Sequence, residues 1–312
     1  VIDDVLSFLR CPQCDQPQCD QGGLGRTGGS LRCAAGHCFD IARAGYVSLL
    51  PAGSPRNAGD TAAMVQARHA FLAAGYFAGL AAAIADAALA PVSRADAAAG
   101  PATRPAPGPT TRPAPGPAGG CVVDVGAGTG YYLAAVLDQL PARVGLALDI
   151  SKSALRLAAK AHPRAVAIGC DAWRPLPVGD GAADLVLNVF APRQGAELHR
   201  ILGPAGCLLV TTPSADHLAE LIGPLRMLAV DERKQERLAG KLSPYFELAG
   251  EREYQAALSL DHQAVTALAT MGPSYWHTEP AALEARISRL ADPVEVTVAV
   301  RIASYCLAPR PA

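Results

Sequence analysis

The sequence predicts an α/β chain in which a doubly wound, mostly parallel sheet follows a small metal-binding module. Three observations predict it. From residue 121 onward, apolar β-branched runs alternate with helical stretches. A glycine-rich turn closes the first of those runs. Residues 1 to about 50 concentrate Cys and Gly and hold little contiguous apolar sequence, as a unit stapled by metal in place of a core would.

The first element is built on Cys11-x2-Cys14 and, eighteen residues later, Cys33-x3-His37. Three thiolates and one imidazole on two tight knuckles can close a tetrahedral zinc site with no position left for water, so the zinc is read as structural. Cys19 and Cys38 are spare, and either could replace a ligand, although their spacing fits less well. The chain has nine cysteines, an odd number that disfavours full pairing, and four of them lie in the first 33 residues, which suits ligation in a reducing compartment.

Residues 51–95 form a helical connection: Met64, Phe71, Leu72, Leu80, Ile84 and Leu89 recur mostly at helical intervals, giving one or two helices that should pack on the larger domain. Residues 96–120 form an extended Pro/Gly-rich linker, where TRPAPGP starts at Thr103 and again at Thr111. Residues 121–312 carry the sheet. Its strands are CVVDVG, VGLALDIS, AVAIGCDA, LVLNVFAP and CLLVTTP, separated by helices from about Tyr131, over Ser153 to Ala161, and near Glu197. The tail VEVTVAVRIASYCL alternates more cleanly, as a strand at or near a sheet edge would, and a final antiparallel pair is expected.

Composition narrows the function. Hydrophobic residues make up 50% and charged residues 18%. No apolar run reaches the ~18 residues of a membrane span. The acidic start VIDDVLSFLR does not resemble a signal peptide, so a cytoplasmic protein with no membrane partner is expected. A net charge of −1 excludes nonspecific nucleic-acid binding by bulk charge, and any RNA must be held by local arginines and by shape.

Four strand ends carry the chemistry. VVDVGAGTG places Asp124, Gly126, Gly128 and Gly130 at the end of a strand and the start of a helix, where the backbone can approach a cofactor closely. The acid-x-Gly-x-Gly-x-Gly spacing departs from the dinucleotide fingerprint, which favours S-adenosylmethionine over a nicotinamide cofactor. Asp149 ends the next strand, about twenty residues on, where a carboxylate can accept both ribose hydroxyls. Asp171 follows the third and could reach the adenine amino group. The fourth ends in Asn188 and Phe190: Asn188 could hydrogen-bond a guanine edge while Phe190 stacks on the base, or Phe190 packs its own loop.

With CPQC, CAAGHCFDIARAGYVSLL, QARHAFLAAGYF, VVDVGAGTGYY, LDISKSALRLAAKAHP, NVFAPR, TTPSADHLAEL and MGPSYWH in view, the chain resembles the RlmA-type large-subunit ribosomal RNA (guanine-N1)-methyltransferases, Gram-positive branch. The linker lies outside all these segments. The resemblance implies a Rossmann-like class I methyltransferase domain behind a zinc module that helps grip RNA, with Cys11, Cys14, Cys33 and His37 on the metal. It implies that Gly128, Thr129 and His217 touch the cofactor, and that Phe77 stands where the family often has a tyrosine, so the ring is kept and the hydroxyl lost. Without it, His217 reads as a residue at a helix start and Trp276 as core. The implied reaction moves a methyl from S-adenosylmethionine to N1 of a guanosine in the helix 35 hairpin loop of domain II of 23S rRNA, in a homodimer, with tylosin-like macrolide resistance as the outcome. Two other readings compete: a small-molecule methyltransferase with the zinc module as a lid, and a zinc-containing RNA-binding protein without turnover.

Overall fold

The computed structural model describes residues 1–14, 23–51, 59–99, 119–229 and 240–308. Cys19 and residues 100–118 of the Pro/Gly-rich segment lie outside the described residues.

An eight-stranded sheet organises the chain. Its parallel centre consists of β5 (Cys121–Val125), β6 (Val144–Asp149), β7 (Ala165–Gly169) and β8 (Ala183–Val189). β9 (Leu202–Pro213), β10 (Phe246–Leu260) and β11 (Val294–Leu307) follow. In space the order is β10-β11-β9-β8-β5-β6-β7-β4, where β4 is the two-residue strand Val47–Ser48. β11 runs antiparallel between β9 and the edge strand β10, as its alternating sequence predicts. Chain order reverses direction between β5 and β8, and at such a switch point open α/β sheets place their ligand crevice, outside the carboxyl ends of the strands.

The two faces of the sheet are covered differently. Because side chains alternate along a strand, Val122, Ala147, Ala167, Leu185 and Leu187 face one way, and Val123, Leu146, Ile168 and Val186 the other. The first face packs under helices, including α2 (Ala62–Ala73), α3 (Ala78–Ala99), α4 (Tyr131–Gln139) and α8 (His262–Met271). Thr61 caps α2, its hydroxyl accepting from Met64 N at 3.3 Å. After α2 the chain bends by 84° into α3 and buries Phe71, Phe77, Leu80 and Ile84. Among the described residues no single helix is long and apolar enough to cross a membrane.

The second face is covered by α6 (Gly195–Ile201) and by the N-terminal module. That module holds α1 (Ile2–Val5) and a three-stranded antiparallel sheet of β1 (Gly25–Thr27), β2 (Ser30–Arg32) and β3 (Cys38–Asp40). Its composition suggested metal in place of a core. Instead, Val5, Leu9, Leu31 and Phe39 are buried in one cluster with Val123, Leu146, Ile168 and Val178 of the larger domain. The module thus borrows the sheet's second face as its core. β4 adds to the sheet edge beside β7, Arg10 N donates to Pro177 O, and the Arg10 guanidinium pairs with Asp180.

Candidate active site and metal centre

The metal centre forms where the two knuckles meet. Cys14 N turns back on Cys11 O, and Gly36, at φ +87°, lets Gly36 N reach Cys33 O while His37 O accepts from Cys33 N. A tetrahedron with Zn–S of ~2.3 Å and Zn–N of ~2.0 Å has edges of roughly 3.5–3.8 Å. His37 Nδ1 lies 3.5, 3.4 and 3.4 Å from the sulfurs of Cys11, Cys14 and Cys33, and Cys14 Sγ is 3.6 Å from Cys33 Sγ. All four ligand atoms fall within 4.8 Å of one another, so this donor set fits zinc, with Nδ1 as the imidazole ligand. Cys38 is exposed and lies outside the cluster.

The crevice beside β5 gathers the other site residues. Gly126, Gly128 and Gly130 all hold left-handed φ, at +79°, +56° and +78°. They differ in what surrounds the missing side chain. A Cβ at Gly126 would stand 2.6 Å from Ala191 Cβ, and one at Gly130 2.9 Å from Ala161 Cβ, so neither position admits a side chain. A Cβ at Gly128 would meet only the Arg68 side chain, with Nη1 at 3.4 Å. Gly128 N donates to Asp149 Oδ2 at 2.8 Å and Ser151 N to Asp149 Oδ1 at 2.8 Å. Asp149 is thereby fixed between the turn and the start of the next helix. Burial raises its pKa against those two N–H donors. Each oxygen keeps a second lone-pair direction, which suits two ribose hydroxyls.

Asp124 is buried, its Oδ1 has no partner, and burial together with the charge of Asp149 pushes its carboxyl up to about 8. Asn188 Oδ1 and Thr211 Oγ1 are likewise buried without a partner, so polar atoms near the carboxyl ends of β5, β8 and β9 are left for a bound polar molecule to satisfy. Thr129 is buried beside Gly128. Asp171 is half-buried, accepts from Trp173 N at 2.9 Å and lies 3.8 Å from Arg174. Phe77 is buried edge-on against Phe71 at 5.0 Å and 86°, within the core.

Asn188 is anchored on one side. It is 0% exposed, and its amide donates to Val125 O at 3.4 Å and Pro192 O at 2.8 Å. It ties the loop after β8 to the end of β5 and keeps its Oδ1 unpartnered. Its neighbour Phe190 is the exposed group, at 40%, held at φ +52° where a bulky side chain is a genuine outlier. The Phe190 ring stacks on His217 (5.9 Å, 29°) and meets Tyr132 edge-on at 6.5 Å. His217 Nδ1 accepts from Ala299 N at 3.3 Å, and burial lowers its pKa to about 4. The imidazole is therefore neutral at pH 7 and carries its proton on Nε2, as a donor.

This fixes the sign of one pH effect. An unfolded chain protonates His217 near its ordinary 6.5 and the folded chain only near 4, so stability falls as pH drops through that window and is unaffected above it. Between pH 7 and 4.5 the group should account for roughly 2–3 kcal/mol. Urea unfolding of wild type and His217→Gln at both pH values measures it, and an identical pH response in the two proteins would refute the assignment.

Arg68 is the residue that motif reading missed. It sits on α2 in QARHAFLAAGYF, pairs with Asp60, donates from Nη2 to Met271 O at 2.8 Å and lies over Gly128. A lone guanidinium in an alanine-rich helix was the available signal. The anion it could take, the methionine carboxylate of the cofactor, becomes apparent only once α2 is seen to cross the glycine turn.

A seven-stranded 3-2-1-4-5-7-6 arrangement with a glycine turn and acids at successive strand ends defines an S-adenosylmethionine-dependent methyltransferase of class I, here extended by one strand from a zinc ribbon. Family comparison agrees: residues 9–56 match the zinc ribbon described as RlmA, N-terminal, and residues 122–206 match a methyltransferase domain. A protein of Micromonospora griseorubida named "Putative 23S rRNA (guanine-N(1)-)-methyltransferase" is 50% identical over 308 residues, 97% of this chain and 98% of that one. The 23S rRNA (guanine(748)-N(1))-methyltransferase of Streptomyces fradiae is 44% identical over 297 residues, 95% of this chain and 96% of its own. The chain belongs to the RlmA-type 23S rRNA (guanine-N1)-methyltransferase family.

Proposed function

We propose that this enzyme methylates N1 of a guanosine in the helix 35 hairpin loop of domain II of 23S rRNA, with S-adenosylmethionine as donor. The carrying observation is the match to two named guanine-N1 methyltransferases over 95–97% of the chain, zinc ribbon included. The exposed Phe190 at the end of β8 supports it, since a base must be presented flat beside the cofactor crevice.

The geometry supports a set of roles. Asp149 holds the ribose, Asp171 the adenine amino group, and Arg68 the methionine carboxylate, with Gly128 and Thr129 along the backbone path and the Nε2–H of His217 as a donor. Asp124, its carboxyl raised by burial and by Asp149, offers its unpartnered oxygen to the bound molecule, and Asn188 ties the loop after β8 to β5. Phe77 packs beneath them. The bound cofactor supplies an electrophilic methyl on a sulfonium. Phe190 would stack the guanine beside the crevice, where N1 gives up its proton to solvent as it takes the methyl and S-adenosylhomocysteine leaves. Residues 1–50 form the zinc unit that grips RNA, and residues 121–312 the catalytic unit. Action as a homodimer in the cytoplasm and macrolide resistance complete the proposal.

The test is nucleoside mass spectrometry of 23S rRNA transcripts after incubation with the protein and deuteromethyl-labelled cofactor. Labelled 1-methylguanosine is expected. Label confined to another nucleoside, or to no RNA at all while the protein still binds cofactor, would send the assignment to small-molecule acceptors.

A further inference from the structure

Resting on the reading that the substrate is RNA, we propose that Arg226 and Arg286 clamp a backbone phosphate of unpaired loop nucleotides, with Trp276 beside them as the platform on which a flanking base stacks.

The two arginines line a cleft of about 210 Å³ whose remaining walls are Leu228, Ser274 and Thr278. Among the described residues no carboxylate lines it and neither guanidinium is in an ion pair. Arg286 is held in place by Nη1 donating to Leu225 O at 3.2 Å, which leaves its other N–H groups for a ligand. Arg226 ends α7 (Ala219–Leu225) at φ +56°, a position that helices usually fill with glycine. Glycine would fit that turn better, but it would remove the guanidinium from the cleft. Ser274 Oγ accepts from Leu228 N at 3.0 Å, so its own hydroxyl hydrogen is free to donate to an anion. Two cations and a hydroxyl converging without an acid match a phosphodiester.

The surroundings indicate a nucleic acid. Trp276 belongs to the same short turn, Pro273–His277, and is 54% exposed, while Tyr275 beside it packs on the core. Leu228 on the cleft wall is 63% exposed. An open indole next to a phosphate clamp is the arrangement that holds single strands by stacking and charge together. The turn is also coupled to the methyl-transfer site, because Arg68, which overlies Gly128, holds the carbonyl of Met271 just before it. A chain with net charge −1 has no general basic surface, so its grip on RNA must be concentrated in a few such contacts.

The experiment measures the affinity of the full-length protein for a synthetic helix 35 hairpin RNA across a potassium chloride series, with cofactor affinity measured in parallel. Arg226→Gln, whose side chain makes no described hydrogen bond to protein, should flatten the log–log salt slope by about 0.7 and weaken binding at low salt. Trp276→Ala should weaken binding on the order of tenfold with the slope unchanged. Arg286→Gln should act like Arg226→Gln, and cofactor affinity should stay at the wild-type value in all three. If the wild type methylates the hairpin while Arg226→Gln and Trp276→Ala both keep its affinity and slope, the clamp is wrong and the function stands. If the wild type neither binds nor methylates the hairpin, the RNA reading falls and takes the clamp with it.

Discussion

Replacing Asp149 with alanine should weaken cofactor binding by two to three orders of magnitude. The carboxylate is positioned by Gly128 N and Ser151 N, each at 2.8 Å, and faces the crevice with the remaining lone pair of each oxygen. Two hydrogen bonds to a charged acceptor, at about 1.5–3 kcal/mol each, set that scale. The variant also leaves two backbone donors at the turn unpartnered, so cofactor-free protein should melt a few degrees lower. Asp149→Asn should recover little, because it offers one acceptor where two N–H groups point. Calorimetric titration with S-adenosylhomocysteine measures the effect. A dissociation constant within threefold of wild type would remove Asp149 from the binding machinery.

Stripping zinc should destabilise the catalytic sheet as well as the ribbon. Val5, Leu9, Leu31 and Phe39 lie in one buried cluster with Val123, Leu146 and Ile168, so unfolding of the ribbon bares one face of the sheet. Each such side chain contributes about 1.5–3 kcal/mol when fully buried. A structural zinc site adds on the order of 10 kcal/mol to the folded state. Even half of that would shift the melting of a domain this large by on the order of 10–20 °C. Scanning calorimetry with and without a chelator, and of Cys33→Ser, should show one transition moving down as a unit. A sheet transition that stays put while the ribbon melts alone would show the shared cluster to be energetically unimportant.

The sequence was informative where chemistry is local. Cys-x2-Cys and Cys-x3-His each form a turn whose geometry depends only on near neighbours, so all four metal ligands were legible and do converge. Strand runs ending in Asp124, Asp149 and Asp171 placed three acids at the carboxyl edge because a parallel sheet leaves little choice. Contacts made across the fold were not legible. Val47–Ser48 is too short to show a period, yet it joins the ribbon to the sheet. Spacing does not tell that Ala191 and Ala161 fill the space a side chain at Gly126 or Gly130 would need. Asn188 and Phe190 stand two residues apart on one loop. Only the fold shows that one is buried, 0% exposed, and the other open, at 40%. Arg68 and the Arg226–Arg286 cleft depend on which helices cross which turns, and spacing alone does not carry that.

The central claim is methyl transfer to guanine N1, and primer extension on 23S rRNA tests it most directly, because a methyl there blocks Watson–Crick pairing and stops the polymerase. One new stop in the helix 35 loop, dependent on cofactor and absent with Phe190→Ala and Asp149→Ala, is the predicted result. Full-length extension through that loop, with wild-type protein that binds cofactor and holds its zinc, would contradict it.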